Sequence, residues 1–130
     1  MIDAQMMTRL SGDTTLMALV SKVYNTVAYE PSPNAVAYPH LIFWWMGGPD
    51  EYTLTQRIRV VGRYEIRIVG EMTSLAAMQT ALARVETLLK DYAFTGTMYC
   101  RRIAMLPNSV AMDGGQLYGQ VGATYQVEVR

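Results

Sequence analysis

The chain has 130 residues, 51% of them apolar and 17% charged, and its 11 basic and 11 acidic side chains cancel. That length builds one domain (residues 1–130 as a unit); the apolar content excludes a disordered chain, and the lack of a basic excess counts against a free-standing nucleic-acid binder. A single cysteine, Cys100, excludes an intrachain disulfide and a cysteine-cluster zinc site, and a single histidine, His40, excludes His-pair metal motifs.

Residues 2–10 read as a short amphipathic helix. Gly12 suits the position after its end, and Asp13 suits the N-cap of a second helix over residues 14–20, with Leu16, Leu19 and Val20 on one face. No basic segment opens the chain, so no signal peptide is expected. Residues 23–25 suit a short strand, followed by a turn-rich loop around Pro31 and Pro33. Beyond Pro39 comes the longest apolar run, residues 41–46. Six residues fall far short of the roughly 20 that span a bilayer, so no membrane partner is expected. As a strand, the run puts Ile42, Trp44 and Met46 on one side and Leu41, Phe43 and Trp45 on the other. Both tryptophans are expected to be covered, either with both faces buried in the fold or with one face in the fold and one against a partner.

Residues 57–70 alternate strictly. Ile58, Val60, Gly62, Tyr64, Ile66 and Ile68 share one face; Arg57, Arg59, Val61, Arg63, Glu65, Arg67 and Val69 share the other. Thr73 or Ser74 is positioned to cap a helix ending near Lys90, in which Leu75, Met78, Leu82, Val85 and Leu89 form the core-facing stripe. Two strands follow, over 97–105 and 116–130, with a loop over 107–115 between them. The expected fold is α+β: a mainly antiparallel sheet of four to five strands, one long helix on one face and a short N-terminal helical pair. Fourteen strand residues span about 46 Å at roughly 3.3 Å each. A compact domain of this size is about 36 Å across. The 57–70 strand and the last strand must therefore bend at glycines, project towards neighbours, or both.

No nucleotide-binding, nucleophile-elbow or zinc-protease motif is present, and no cofactor is expected. Asp50 and Glu51 read as a solvated loop pair. The row Arg57, Arg59, Arg63 and Arg67 gives residues 57–70 a net +3, against −3 for residues 1–56. The row reads as a solvated face, a charge-complementary contact between subunits, or a strip facing DNA. Subunit contact is favoured, with Asp50 and Glu51 as acidic partners on a neighbour. Ten methionines, nine tyrosines and two tryptophans, including Trp44 and Trp45, supply residue types common at interfaces.

The order of short patterns carries a resemblance. A helical pair precedes Val23-Tyr24-Asn25, and a loop ends in Tyr38-Pro39-His40-Leu41-Ile42. A strand follows, Arg63-Tyr64-Glu65-Ile66-Arg67-Ile68-Val69. It leads into Thr73-Ser74-Leu75-Ala76 and a helix ending Val85-Glu86-Thr87-Leu88-Leu89. Over roughly residues 10–130 this resembles the small tail-completion proteins, or tail terminators, of tailed bacteriophages. The resemblance implies a non-enzymatic virion protein assembled in the host cytoplasm. It implies a homohexameric ring that caps the head-proximal end of the tail tube. Its partners would be itself, the tail tube protein and a head-completion or neck protein, with DNA only in transit through the lumen. A second reading is another head–tail neck protein. A third, of a different class, is a cytosolic ligand-binding α+β module.

Overall fold

The alternating segment becomes the central strand of the sheet. A computed structural model describes residues 2–31, 33–52 and 54–129, without the side chains of Arg57, Ile58, Met98 and Val129. In it, strand β4 (Arg57–Glu71) is bordered on one edge by β2 (His40–Gly47) and on the other by β6 (Gln116–Val129). β1 (Lys22–Asn25) lies outside β2, and β5 (Thr97–Asp113) lies outside β6. A three-residue strand, β3 (Asp50–Tyr52), continues the β2 edge by pairing with the start of β4.

The sheet therefore has six strands and is mixed, where a mainly antiparallel sheet of four to five was expected. Two local causes account for the difference. β1 runs parallel to β2, because residues 26–39 carry the chain back along β1 before β2 begins. Parallel neighbours need such a long return, and antiparallel ones do not. Asp50 and Glu51, read as a solvated loop, are drawn into a strand by the backbone of β4. That pairing leaves no apolar trace in the sequence.

The expected loop over 107–115 is also strand. β5 continues to Asp113 and turns through Gly114 and Gly115 into β6, with Asp113 opposite Gln116. Both glycines have positive φ (57° and 80°), the backbone of a two-residue hairpin turn that matches strand twist. Pro107 is tolerated because β5 is an edge strand and its register shifts between Leu106 and Ser109.

Helix α3 (Leu75–Leu89) covers one face of the sheet, burying Met78, Ala81, Leu82, Val85, Leu88 and Leu89. Ser74 occupies the N-cap position, as expected, but makes no side-chain capping bond, and a 3₁₀ turn (Met72–Ser74) leads in. α1 (Asp3–Ser11) and α2 (Thr14–Met17) complete that layer, α2 ending sooner than expected. Asp13 does cap α2, accepting the Leu16 N–H at 2.8 Å. The guanidinium fork of Arg84 on α3 donates to both Asp13 oxygens, at 2.8 and 2.9 Å, tying the two helices together.

Between helices and sheet the expected inward face of β4 is buried: Tyr64, Ile66 and Ile68 are fully covered, beside Leu41 and Phe43 of β2 and Val121, Ala123, Tyr125 and Val127 of β6. The two phenols find partners, as buried hydroxyls must. Tyr64 donates to Asp3 and accepts the Ile2 N–H, at 2.5 and 2.9 Å; Tyr125 donates to Glu86 at 2.7 Å.

Candidate functional site

The helix side of the sheet is closed; the opposite side is open. Cross-strand neighbours share a face, so the odd-numbered residues of β4 lie with Ile42 and Trp44 of β2 and with Gln120, Thr124, Gln126 and Glu128 of β6. This is where the arginine row was expected, and the register places Arg59, Arg63 and Arg67 on that side.

The structure separates the row into different environments. Arg59 is clamped. It donates to Glu51 at 2.5 and 3.1 Å and meets Glu128 at 3.1 Å. The two carboxylates raise its pKa further, and Arg59 in turn lowers that of Glu51. Arg67 donates to Glu65 at 3.1 Å and to the Gln120 side-chain oxygen at 3.2 Å. Glu51, offered by sequence to a neighbouring subunit, is thus engaged by Arg59 of its own chain. Register placed the two opposite one another. Asp50 also lies on β3 and is not without a partner. Arg63 is exposed and has no acidic partner among the described residues. The side chain of Arg57 lies outside the described part of the chain.

The tryptophans take the opposite sides expected of them. Trp45 lies on the helix side, over Gly62, its ring 5.0 Å from that of Tyr64. A Cβ at residue 62 would fall within the indole. Trp44 is half-buried on the open side, in a shallow groove of about 510 Å³ with His40, Ile42, Arg67 and Gln120. His40 is buried there, its Nδ1 3.0 Å from the Ala37 carbonyl oxygen, and burial holds its pKa below the usual histidine range.

The groups most displaced in acidity are structural. Burial pushes the Cys100 thiol up to about 12, and raises the Tyr64 and Tyr125 phenols, which also donate to carboxylates. A second open groove, of about 600 Å³, lies between α1 and the end of α3, with Arg9 stacked 4.0 Å from the Tyr92 ring centre. Among the described residues no three acidic, histidine or cysteine side chains gather as a metal site. No helix among them is long and apolar enough to cross a membrane. What the fold presents is surface.

One such surface was missed by sequence reasoning. From Arg101 to Asp113 every residue of β5 is exposed except the half-buried Leu106. Met105 pairs with Ala123, Val110 with Gly119 and Met112 with Leu117, so this row shares the face that α3 covers. Yet α3 packs on β4 and β6 and does not cover it. Met105, Val110, Met112 and Leu117 remain 56%, 58%, 70% and 43% exposed. The hairpin also overruns β4, whose last rung joins Glu71 to Tyr118. Seventeen strand residues span about 56 Å, well beyond a compact globule, so projection accompanies the strand lengths. Total accessible surface is 7364 Å², against about 6,900 Å² for a compact monomer of this mass. The sequence signal was Gly114-Gly115: a two-residue glycine turn flanked by strand-like residues marks a hairpin.

No family model and no curated protein matches the sequence. Solved structures do match its fold. One is a chain in the virion of a native gene transfer agent particle: 18% identical, TM-score 0.59, covering 95% of this chain and 90% of that one. Another is the gp17 protein of bacteriophage SPP1: 11% identical, TM-score 0.51, covering 95% of this chain and 86% of that one. Both likenesses cover nearly the whole of this chain.

Proposed function

We propose that this chain is a virion structural protein of a tailed phage or phage-like particle, and within that class a tail terminator. Copies form a ring, most simply a homohexamer, on the head-proximal end of the tail tube. The ring stops tube growth and offers its other side to a head-completion or neck protein. DNA passes through the lumen without being held. The work is association, with no catalysis and no cofactor.

The observation that carries this reading is the near end-to-end fold match to proteins of a phage and a phage-like particle. Local features agree with it. Arg59 and Arg67 are neutralised by carboxylates of their own chain, which lowers the density of free cations able to trap passing phosphates. The exposed, largely apolar hairpin segment over residues 103–119 carries one charged residue, Asp113, and suits burial against protein.

The test is particle assembly without the protein. A terminator's absence yields overlong tail tubes that do not join heads. Tubes of normal length beside leaking heads would instead indicate a head-completion role. Normal particles would refute a structural role. Light scattering of the purified chain supplies the companion measurement: a mass several-fold above 14.6 kDa supports self-assembly.

A further inference from the structure

We propose that Arg63 and Arg101 form a two-arginine site on the open face of the sheet, and that it takes a carboxylate from an acidic segment of a partner protein. The site is complete in a single copy and does not depend on ring formation.

Register builds it. Gln126 of β6 stands opposite Arg63 of β4 on one side and opposite Arg101 of β5 on the other. Cross-strand neighbours share a face, so the three side chains form one row across the sheet. The two arginines are two strand spacings apart, about 10 Å, and border a common gap over Gln126. The row is braced from beside it. The Gln126 amide donates to the Tyr99 hydroxyl at 2.9 Å, and the Arg101 guanidinium lies over the Tyr99 ring, 4.8 Å from its centre. Both arginines are exposed, and neither has an acidic partner among the described residues. Arg59 and Arg67, in contrast, are taken by carboxylates of their own chain. Two planar forks with unspent donors at one gap suit a single carboxylate or phosphate group.

The surroundings choose between these. In the adjoining rows Glu128 lies opposite Tyr99, and Glu65 lies opposite Thr124. A polyanion laid along the strands would meet these carboxylates on either side of the arginine pair. Laid across the strands, it would find two cations only, because the row runs from Gly47 through Arg63 to the edge strand. The row of Glu65 also holds half-buried Trp44 and exposed Ala104, apolar surface that suits polypeptide rather than a sugar–phosphate backbone. The chain as a whole has no basic excess. The occupant is therefore an acidic polypeptide segment and not nucleic acid.

The test follows the arginine Nε–Hε signals of the full chain by NMR, each assigned with its own glutamine variant. Tetraglutamate peptide should shift the Arg63 and Arg101 signals together and leave those of Arg59 and Arg67 in place, while tetraglutamine shifts none. Arg63→Gln or Arg101→Gln should weaken tetraglutamate binding about three- to five-fold each. Lys90→Gln, which removes an exposed cation elsewhere, should leave it unchanged. Circular dichroism checks that each variant is folded. No shift at millimolar peptide, or equal losses from all three variants, would overturn the site. Tighter binding of a short DNA duplex, or of inorganic phosphate, through the same two arginines would overturn the acidic segment as its occupant. Shifts of these two signals on concentrating the chain alone would overturn it in favour of a second copy.

Discussion

Replacing Gly62 by alanine is expected to destabilise the domain by about 1–2 kcal/mol, and opposed contributions set the figure. Alanine restricts the unfolded chain, which favours folding by about 0.5–1 kcal/mol. Against this, a Cβ at residue 62 falls inside the Trp45 ring and lies 2.5 and 2.6 Å from its Cζ2 and Cζ3 atoms. Overpacking of this kind costs about 1–3 kcal/mol. The indole has little room to retreat, because the Tyr64 ring stands 5.0 Å from it at a steep angle. For 130 residues the unfolding entropy is about 0.27 kcal/mol/K, so Tm should fall by about 4–7 °C. Urea unfolding followed by circular dichroism and tryptophan emission measures this. The midpoint should drop with an unchanged slope. Leucine at residue 45 removes the collision, so Trp45→Leu with Gly62→Ala should cost less than the sum of the single changes. A Gly62→Ala variant as stable as the parent would refute the argued fit of Trp45 over this glycine.

Further outcomes follow from the helical layer and the open face. Leu82→Asp buries a charge on the inner side of α3, where Leu82 is 4% exposed; a loss of several kcal/mol should abolish the cooperative thermal transition. The Arg84 fork holds the Asp13 carboxyl down at about 2. Its folded value lies below its unfolded one, so its contribution is complete above about pH 4 and lost as pH falls through about 2. Asp13→Asn should flatten that acid limb in unfolding curves measured against pH. His40 is depressed by burial, so its contribution holds above pH 6.5 and fades on acidification below it. As the sole histidine, its imidazole NMR titration should show a midpoint below 6.5.

What the sequence made legible were the elements whose own side chains encode them. Residues 57–70 alternate because one face of β4 meets the helices. The α3 stripe repeats at helical spacing for the same reason, and residues 41–45 are apolar throughout because both sides of β2 are buried or half-buried there. Pairing partners carry no such mark. β3 exists because β4 offers it a backbone ladder, and β1 lies parallel to β2 because of where a loop returns. Pro107 read as a break, since the rule that excludes proline from strands is relaxed only at an edge, and edges are a property of the assembled sheet. The arginine row was legible as a face. Its neutralisation was less so: Glu128 reaches Arg59 from 69 positions away, a distance no local pattern spans.

The same Pro107 has a consequence for storage and folding yield. β5 presents a long outer edge with no strand beside it among the described residues. A continuous bare edge templates the addition of further strands, chain upon chain, and ends in fibres. Here the missing proline N–H and the register shifts near residues 98, 103 and 107–108 break the ladder into short stretches that cannot propagate. Pro107→Thr restores a donor in the middle of the edge. It should leave the fold intact and shorten the lag before thioflavin-positive aggregates form in concentrated protein. The irregularities of this strand thus separate ordered assembly, which is finite, from the open-ended polymer that the same exposed backbone would otherwise seed.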